Sequence, residues 1–249
     1  MNVSHIRIGP VEKVPVEARA TEILRKLIVA GKIAPGSRIT EVALSDEMQL
    51  SRATIRTALH QLLTEGLISL VPYTGWTVVP LTSADVWELY TLRSALERLA
   101  AQLVAAALGE EEKVVLQKSF DDLVCQCEKP DRAGIAEADF SLHKKIISLS
   151  RHNRLEFQYR VIEQQIRMYI RSSDALIAKP AIIIDQHRPI VSAILAGEAS
   201  LAGHLSEQHN LVEGEKLSAH LRKAEAEGAN KVSITVMPVK RKAAKSFNK

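Results

Sequence analysis

The stretch Ser51-Arg-Ala-Thr-Ile-Arg-Thr-Ala-Leu-His-Gln-Leu-Leu-Thr-Glu-Gly-Leu67 predicts the structure of the first third of the chain. Ser51 is a favourable N-cap residue, and Gly66 stands where a C-capping glycine belongs. The apolar residues that recur between them at helical spacing are Ile55, Leu59, Leu62 and Leu63. One apolar stripe of this kind predicts a helix with one face in a core.

The first turns of this helix are basic and hydroxylated instead, with Arg52, Thr54 and Arg56. A helix N-terminus has a partial positive charge and free N–H groups that favour phosphate, and arginine forks can reach guanine edges. The pattern therefore fits a recognition helix that meets DNA. A surface helix with two solvated arginines would show the same pattern, so the neighbouring segments decide between them.

Those neighbours complete a known motif. Residues 16–30 have apolar residues at the helical period, and Thr40 caps a second, short helical segment. After the Ser51 helix, residues 67–71 and 76–79 are two β-rich runs around a Pro/Gly turn, which indicates a hairpin. Three helices followed by a hairpin form a winged helix-turn-helix domain.

The composition is that of a folded globular protein. Of 249 residues 46% are hydrophobic and 25% charged, which excludes a disordered chain. No apolar run approaches the roughly 20 residues that span a membrane, so we expect a cytoplasmic protein with no membrane partner. Cys125 and Cys127 lie two apart in a predicted helix, where they cannot bridge each other and make a poor metal site.

Charge is distributed unevenly along the chain. Residues 1–80 have 9 Lys/Arg against 7 Asp/Glu, residues 81–221 have 16 against 20, and residues 222–249 have 8 against 2. The basic excess lies at the two ends, which suits a DNA-binding head joined to a domain with another task. The basic tail fits either a disordered segment or an accessory phosphate contact.

We expect a mainly α protein, with an all-α antiparallel helical bundle after the winged helix-turn-helix domain. Beyond Pro80, helical segments are separated by Gly109, Pro130, Asn153, Pro180 and Gly197. The predicted organisation is a flexible arm (1–15), the winged domain (16–80), a linker (81–84), the helical domain (85–223) and a basic, disordered tail (224–249).

Four polar residues in the predicted bundle could bind a metal. Asp139 and His143 are four apart, so one helical face presents both side chains. His187 and His209 lie on consecutive predicted helices, where antiparallel packing could bring them to the same depth. One carboxylate and three imidazoles suit a divalent cation, with zinc first and nickel or manganese as alternatives. The alternative is that these histidines are surface residues or hydrogen-bonded core residues, as single histidines in a bundle usually are. The other histidines of the chain are also candidates for metal ligands.

The head resembles a known family. Segments 31–41, 50–59 and 65–69, with Gly75 in the wing, are similar in order and spacing to the GntR family of bacterial transcription regulators. The resemblance implies that Arg52 and Arg56 contact operator DNA.

It also implies that Ser51, Thr54 and Gly75 assist at the DNA backbone or in the minor-groove approach of the wing. The family more often has Pro at the position of Thr54 and Glu at that of Thr57, so the operator sequence does not transfer.

The bundle resembles the FCD effector domain of the FadR-type branch of that family. The segments concerned are 139–143, 153–155 and 187–198, with His209. The resemblance implies that Asp139, His143, His187 and His209 are metal ligands and that Arg93 pairs with a carboxylate effector. Arg167 and Arg171 are weaker candidates for the same cavity.

These patterns predict a sequence-specific DNA-binding transcriptional regulator, a repressor, and not an enzyme. A homodimer would bind a palindromic double-stranded operator, and a small organic acid at the metal-containing pocket would modulate operator affinity. Two alternatives stay open. One is a metal-dependent hydrolase-like enzyme, and the other is a constitutive DNA-binding protein with a purely structural metal.

Overall fold

The structure, a computed structural model, describes residues 14–71 and 75–228. Within these ranges the chain is mainly helical, as the sequence predicts. Most of the predicted arm (1–13), the tip of the wing (72–74) and most of the predicted basic tail (229–249) lie outside the described residues.

The N-terminal head contains three helices and three short strands. They are α1 (Val16–Val29), β1 (Arg38–Ile39), α2 (Glu41–Met48), α3 (Arg52–Thr64), β2 (Ile68–Val71) and β3 (Gly75–Val78). The hydroxyl of Thr40 accepts a hydrogen bond from the Ala43 N–H at 3.2 Å, and that of Ser51 from the Thr54 N–H at 3.1 Å. Both predicted N-caps are therefore present.

The strands form one antiparallel sheet in the order β1-β3-β2. Strand β1 is absent from the sequence prediction and pairs Arg38 with Thr77 of the wing. The apolar stripe of α3 lies in the core of the head, where Ile55 and Leu59 are fully buried against α1 and the sheet. The opposite face of α3 is consequently exposed.

Six helices follow and form the predicted antiparallel bundle. They are α4 (Ser83–Ala107), α5 (Glu110–Cys127), α6 (Arg132–Leu149), α7 (Asn153–Asp174), α8 (Ala181–Leu195) and α9 (Ala199–Ala226). Helices α4 and α9 make the most extensive helix pair. They approach closely at Gly214, where an added Cβ would lie 2.5 Å from the Cβ of Tyr90. Cys125 and Cys127 on α5 are free thiols.

One contact secures the start of α4 within the bundle, and another joins the head to the bundle. The Glu225 carboxylate near the end of α9 accepts hydrogen bonds from the N–H and hydroxyl of Ser83, at the start of α4. On α7, the side-chain amide of Gln165 donates to the Glu65 carbonyl at 3.5 Å, directly beside Gly66 at the end of α3. Across the two described ranges, every helix is too short or too polar to cross a bilayer.

Candidate functional site

The N-terminal end of α3 presents its basic residues to solvent. The side chains of Arg52 and Arg56 are 62% and 55% exposed. Ser51 and Thr54 lie at the same end, with their hydroxyls 2.8 Å apart. Gly75 begins β3 at a φ of +95°, a conformation that glycine adopts without a steric penalty. The four residues at the tip of α3 thus form one polar and basic surface.

Glu41, at the start of α2, organises this surface. Arg56 donates through Nε and Nη2 to the two Glu41 oxygens at 2.9 and 2.8 Å, and the indole N–H of Trp76 donates to Oε1 at 3.3 Å. The hydrogen bonds from Arg56 lower the pKa of the Glu41 carboxyl to about 2. One carboxylate therefore connects α2, α3 and the wing. Glu41 has no local sequence signal for this role, because its partner Arg56 lies fifteen residues away on another helix.

The four candidate metal ligands lie together in the bundle, although they come from three helices. Asp139 and His143 are on α6, His187 is on α8 and His209 is on α9. One ring nitrogen from each histidine lies within 4.8 Å of the others. Asp139 and His187 are buried, and His209 is half-buried.

The protonation of two of these imidazoles follows from their outer partners. His143 Nδ1 lies 2.7 Å from Glu97 Oε2, and His187 Nδ1 lies 2.7 Å from the Ile183 carbonyl oxygen. Both partners accept hydrogen bonds, so each neutral ring places its proton on Nδ1. When both rings are neutral, their Nε2 lone pairs therefore face each other at 2.9 Å.

A cation would satisfy this arrangement. Asp139 adds carboxylate oxygens 3.2 Å from His143 Nε2 and 3.6 Å from His187 Nε2, and its buried Oδ1 has no hydrogen-bond partner within the described ranges. Ligand atoms bound at about 2.0–2.1 Å to a tetrahedral ion lie about 3.3 Å apart, which the observed separations bracket. The donor set fits a divalent ion such as zinc, nickel or manganese.

Glu97 is the centre of the buried polar network beside these ligands. Its Oε1 accepts from Arg93 Nε at 2.6 Å and from the Tyr159 hydroxyl at 3.1 Å. Its Oε2 faces His143 Nδ1 and accepts from Asn210 Nδ2 at 2.8 Å. Burial raises the pKa of Glu97, but Arg93 and His143 outweigh it and hold that pKa well below its usual value. Glu97 is therefore an ionised, fully engaged carboxylate.

Burial and nearby charges shift the pKa values of the neighbouring groups. Burial lowers the pKa of His187 and, more strongly, that of His209, which favours the neutral rings that bind metals. Glu97 counteracts burial at His143 and raises its pKa. Burial, with the nearby Asp139 charge, raises the pKa of Asp174 well above its ordinary value.

Arg93 lies inside the bundle, as its spacing on α4 indicates. Its side chain is 2% exposed, and its Nη2 has no hydrogen-bond partner among the described residues. An unsatisfied buried donor costs roughly 1–3 kcal/mol, so a ligand acceptor would stabilise this arrangement. Arg93 lines a small cavity of about 10 Å³ together with Asp174 and His209.

Arg167 and Arg171, the weaker candidates, do not line that cavity. They border a separate cavity of about 490 Å³ between α7 and α1, together with Arg25 and Lys26. The structure thus groups Arg93 with the metal candidates and places the other two arginines at the junction with the head.

Comparison with known proteins identifies both parts of the chain. The FCD domain family matches residues 88–211, and the family described as bacterial regulatory proteins, gntR family, matches residues 17–78. The Nta operon transcriptional regulator of Aminobacter aminovorans is 32% identical over 143 residues, which cover 57% of this chain and 67% of that protein. The HTH-type transcriptional repressor RspR of Escherichia coli K12 is 25% identical over 198 residues, or 78% of this chain and 87% of that protein.

A solved structure shows the same fold. The E. coli protein McbR/YncC superimposes with a TM-score of 0.67 at 19% sequence identity, covering 86% of this chain and all of that chain. The two family matches agree with the described helices and with the order of the two domains. The chain belongs to the GntR family of bacterial transcriptional regulators, in the FadR-type branch with an FCD domain.

Proposed function

We propose that this transcriptional regulator is a repressor whose affinity for operator DNA is modulated by a small carboxylate bound at the metal-containing pocket of the bundle. The observation that supports the proposal best is the buried pair of His143 and His187, whose Nε2 atoms lie 2.9 Å apart beside Asp139. A repressive role is supported by the similarity to RspR, which is named a repressor.

In the proposed complex, Arg52 and Arg56 contact the operator from the exposed end of α3. Both side chains are more than half exposed, so their remaining N–H groups can reach phosphates and base edges in the major groove while Glu41 holds Arg56. Ser51 and Thr54 would contact the backbone beside them, and Gly75 would allow the wing to approach the minor groove. DNA as the partner supports a cytoplasmic location.

In the proposed pocket, Asp139, His143, His187 and His209 would hold the cation. Glu97 and the Ile183 carbonyl keep the Nε2 atoms of two ligands directed inwards, as partners behind metal ligands commonly do. When bound, the ion would supply positive charge for an effector carboxylate. Arg93 would donate to the same carboxylate through Nη2, which lacks another partner in the described chain.

Helix α7 connects the proposed pocket with the head. Tyr159 on this helix donates to Glu97, and Gln165, less than two turns further on, contacts Glu65 beside the end of α3. A ligand that moves α7 would therefore change the support of the recognition helix. This contact supports coupling between effector and DNA affinity, which must be reciprocal.

We propose that the protein acts as a homodimer through the outer face of α4. Leu92 and Leu99 are 48% and 40% exposed, seven residues apart, and Ala95 lies exposed between them. Apolar residues at this spacing are typical of helices that pair with another helix, and a symmetric pair would place two heads on two half-sites. Sedimentation of Leu92→Glu/Leu99→Glu tests this: we expect monomers, whereas an unchanged dimer would exclude this interface.

The function is tested with zinc-loaded protein and a duplex selected from a random DNA pool. We expect a small carboxylic acid to change the dissociation constant of the duplex in the wild type but not in Arg93→Ala. If every acid left DNA affinity unchanged while chelation melted the bundle, the metal would be purely structural. Turnover of an ester or amide by the metal-loaded protein would favour the enzymatic alternative.

A further inference from the structure

We infer that the acid recognised beside Arg93 carries a hydrogen-bond donor, a hydroxyl or ammonium group, and that Asp174 receives it. The inference rests on the proposed function, because it assumes that the cavity is the effector pocket. It adds a specificity-determining residue to that pocket and a chemical class to its ligand.

The cavity brings Arg93 and Asp174 to the walls of one space. Its other walls include Tyr90, Gln186 and Glu213. At about 10 Å³ it has room for about one water molecule, so an organic acid enters only as the walls move apart. Because the cavity is so small, a ligand that enters it contacts these polar side chains directly, and its own polar groups must form hydrogen bonds with them.

One wall offers an unused donor. Arg93 is held by Glu97 through Nε at 2.6 Å, and its buried Nη2 has no partner within residues 14–71 and 75–228. The guanidinium is planar and permanently charged, which matches a carboxylate. The acid group of the ligand therefore belongs at Arg93.

The other wall offers an unused oxygen. Asp174 Oδ2 is buried and has no hydrogen-bond partner in the described part of the chain. Two donors that line the same cavity are already engaged: the Ser173 hydroxyl donates to Glu213 Oε2 at 2.8 Å, and the Gln186 amide donates to Glu213 Oε1 at 2.6 Å. Since no donor among the described residues reaches this oxygen, its burial is uncompensated, and a donor on the ligand would supply the missing hydrogen bond.

The charges around the cavity further restrict the chemical class of the ligand. The Glu213 carboxylate lines the cavity together with Asp174, and both of its oxygens already accept hydrogen bonds. A second carboxylate on the ligand would face this acidic wall, and like charges repel in a buried site. A hydroxyl or ammonium group avoids the repulsion and supplies the missing hydrogen bond.

The test uses the zinc-loaded full-length protein and calorimetric titration with matched four-carbon acids. The probes are butyrate, its 2-, 3- and 4-hydroxy derivatives, the three corresponding aminobutyrates, and succinate. We expect at least one hydroxy or amino acid to bind tenfold or more tightly than butyrate and succinate. In Asp174→Ala this preference should disappear, so that the hydroxy and amino acids bind no more tightly than butyrate. In the wild type, comparison of the hydroxy acids with the amino acids shows which donor is preferred.

Asp185→Ala, which removes an exposed carboxylate on α8, is the matched control and should retain the preference. Asp174→Leu, which has a similar size and no acceptor oxygen, gives a second variant if Asp174→Ala does not fold. The inference is wrong if butyrate binds as tightly as its derivatives, if the preference survives in both Asp174 variants, or if none of the acids binds. If butyrate binds and changes DNA affinity without any preference, the proposed function stands and only this inference fails.

Discussion

Glu97 Oε2 lies 2.7 Å from His143 Nδ1, while Glu97 Oε1 accepts from Arg93 Nε at 2.6 Å. One buried carboxylate thus orients both a candidate metal ligand and the candidate anchor of the effector. This relationship joins the two halves of the proposed pocket and gives the first prediction.

Glu97→Gln should weaken zinc binding by about 10- to 100-fold, because the partner that orients His143 loses its charge. Competition with a chromophoric chelator measures the affinity. The substitution also leaves Arg93 buried without its ion pair, a loss of about 3–5 kcal/mol, so titrations belong well below the melting temperature. Tyr159→Phe removes another donor to Glu97 but not the His143 contact, and should keep zinc affinity within about threefold. Equal affinities for Glu97→Gln and wild type would exclude this role.

Removal of the metal should destabilise the bundle. A ligand at a hundredfold excess over its dissociation constant contributes about 2.7 kcal/mol, which corresponds to a melting temperature about 5–10 °C higher. Thermal melts followed by circular dichroism, with zinc and with chelator, measure the difference. His187→Ala, which lacks one ligand, should melt at the same temperature in both. If the melting temperature of the wild type were the same with zinc and with chelator, the assignment of the metal site would be wrong.

Glu41→Gln should reduce the ability of the head to distinguish its operator from other DNA. The bidentate contact with Arg56 fixes the guanidinium, and a well-placed arginine contributes about 1–3 kcal/mol of base discrimination. We expect the ratio of specific to non-specific affinity to fall about tenfold, while non-specific affinity rises because one negative charge is lost. Fluorescence anisotropy with an operator duplex and an unrelated duplex measures the specific and the non-specific affinity.

Glu47→Gln is the matched control for this experiment, because it makes the same charge change at an exposed position on α2. It should alter both affinities in parallel and leave their ratio unchanged. If the two variants behave alike, Glu41 acts only through its charge and does not position Arg56.

Gly214→Ala should destabilise the protein by about 1–3 kcal/mol, although alanine favours helices by about 1 kcal/mol over glycine. The new Cβ would lie 2.5 Å from the Cβ of Tyr90, a position fixed by the backbone of α4. In Gly134→Ala, the neighbours are the ends of the Asp131 and Gln126 side chains, which can move. Urea unfolding should therefore show a clear decrease in the free energy of unfolding for Gly214→Ala and little or no decrease for Gly134→Ala.

The sequence predicted the elements that have a local signal. Ser51 and Thr40 cap helices in the structure because an N-cap acts within three residues. Asp139 and His143 share a helical face through their spacing alone. The resemblance to the FCD domain then connected them with His187 and His209, whose proximity depends on how three helices pack.

Other features have no local signal. Strand β1 contains only two residues and exists because it pairs with the wing. Asp174 is an isolated carboxylate at the end of α7, and nothing in its neighbouring residues indicates that it is buried in the cavity of Arg93. Glu41 acquires its importance from partners on α3 and β3. Such contacts between distant segments require the folded chain.

The most direct test of the central claim is the affinity of the zinc-loaded protein for an acid, measured with and without a saturating operator duplex. The tightest-binding acid of the four-carbon series serves as the ligand. If the bundle pocket and the recognition helix are coupled, the operator should change acid affinity by the same factor, at least fivefold, by which the acid changes operator affinity. Identical acid affinities in the two titrations would contradict the claim that this pocket controls DNA binding.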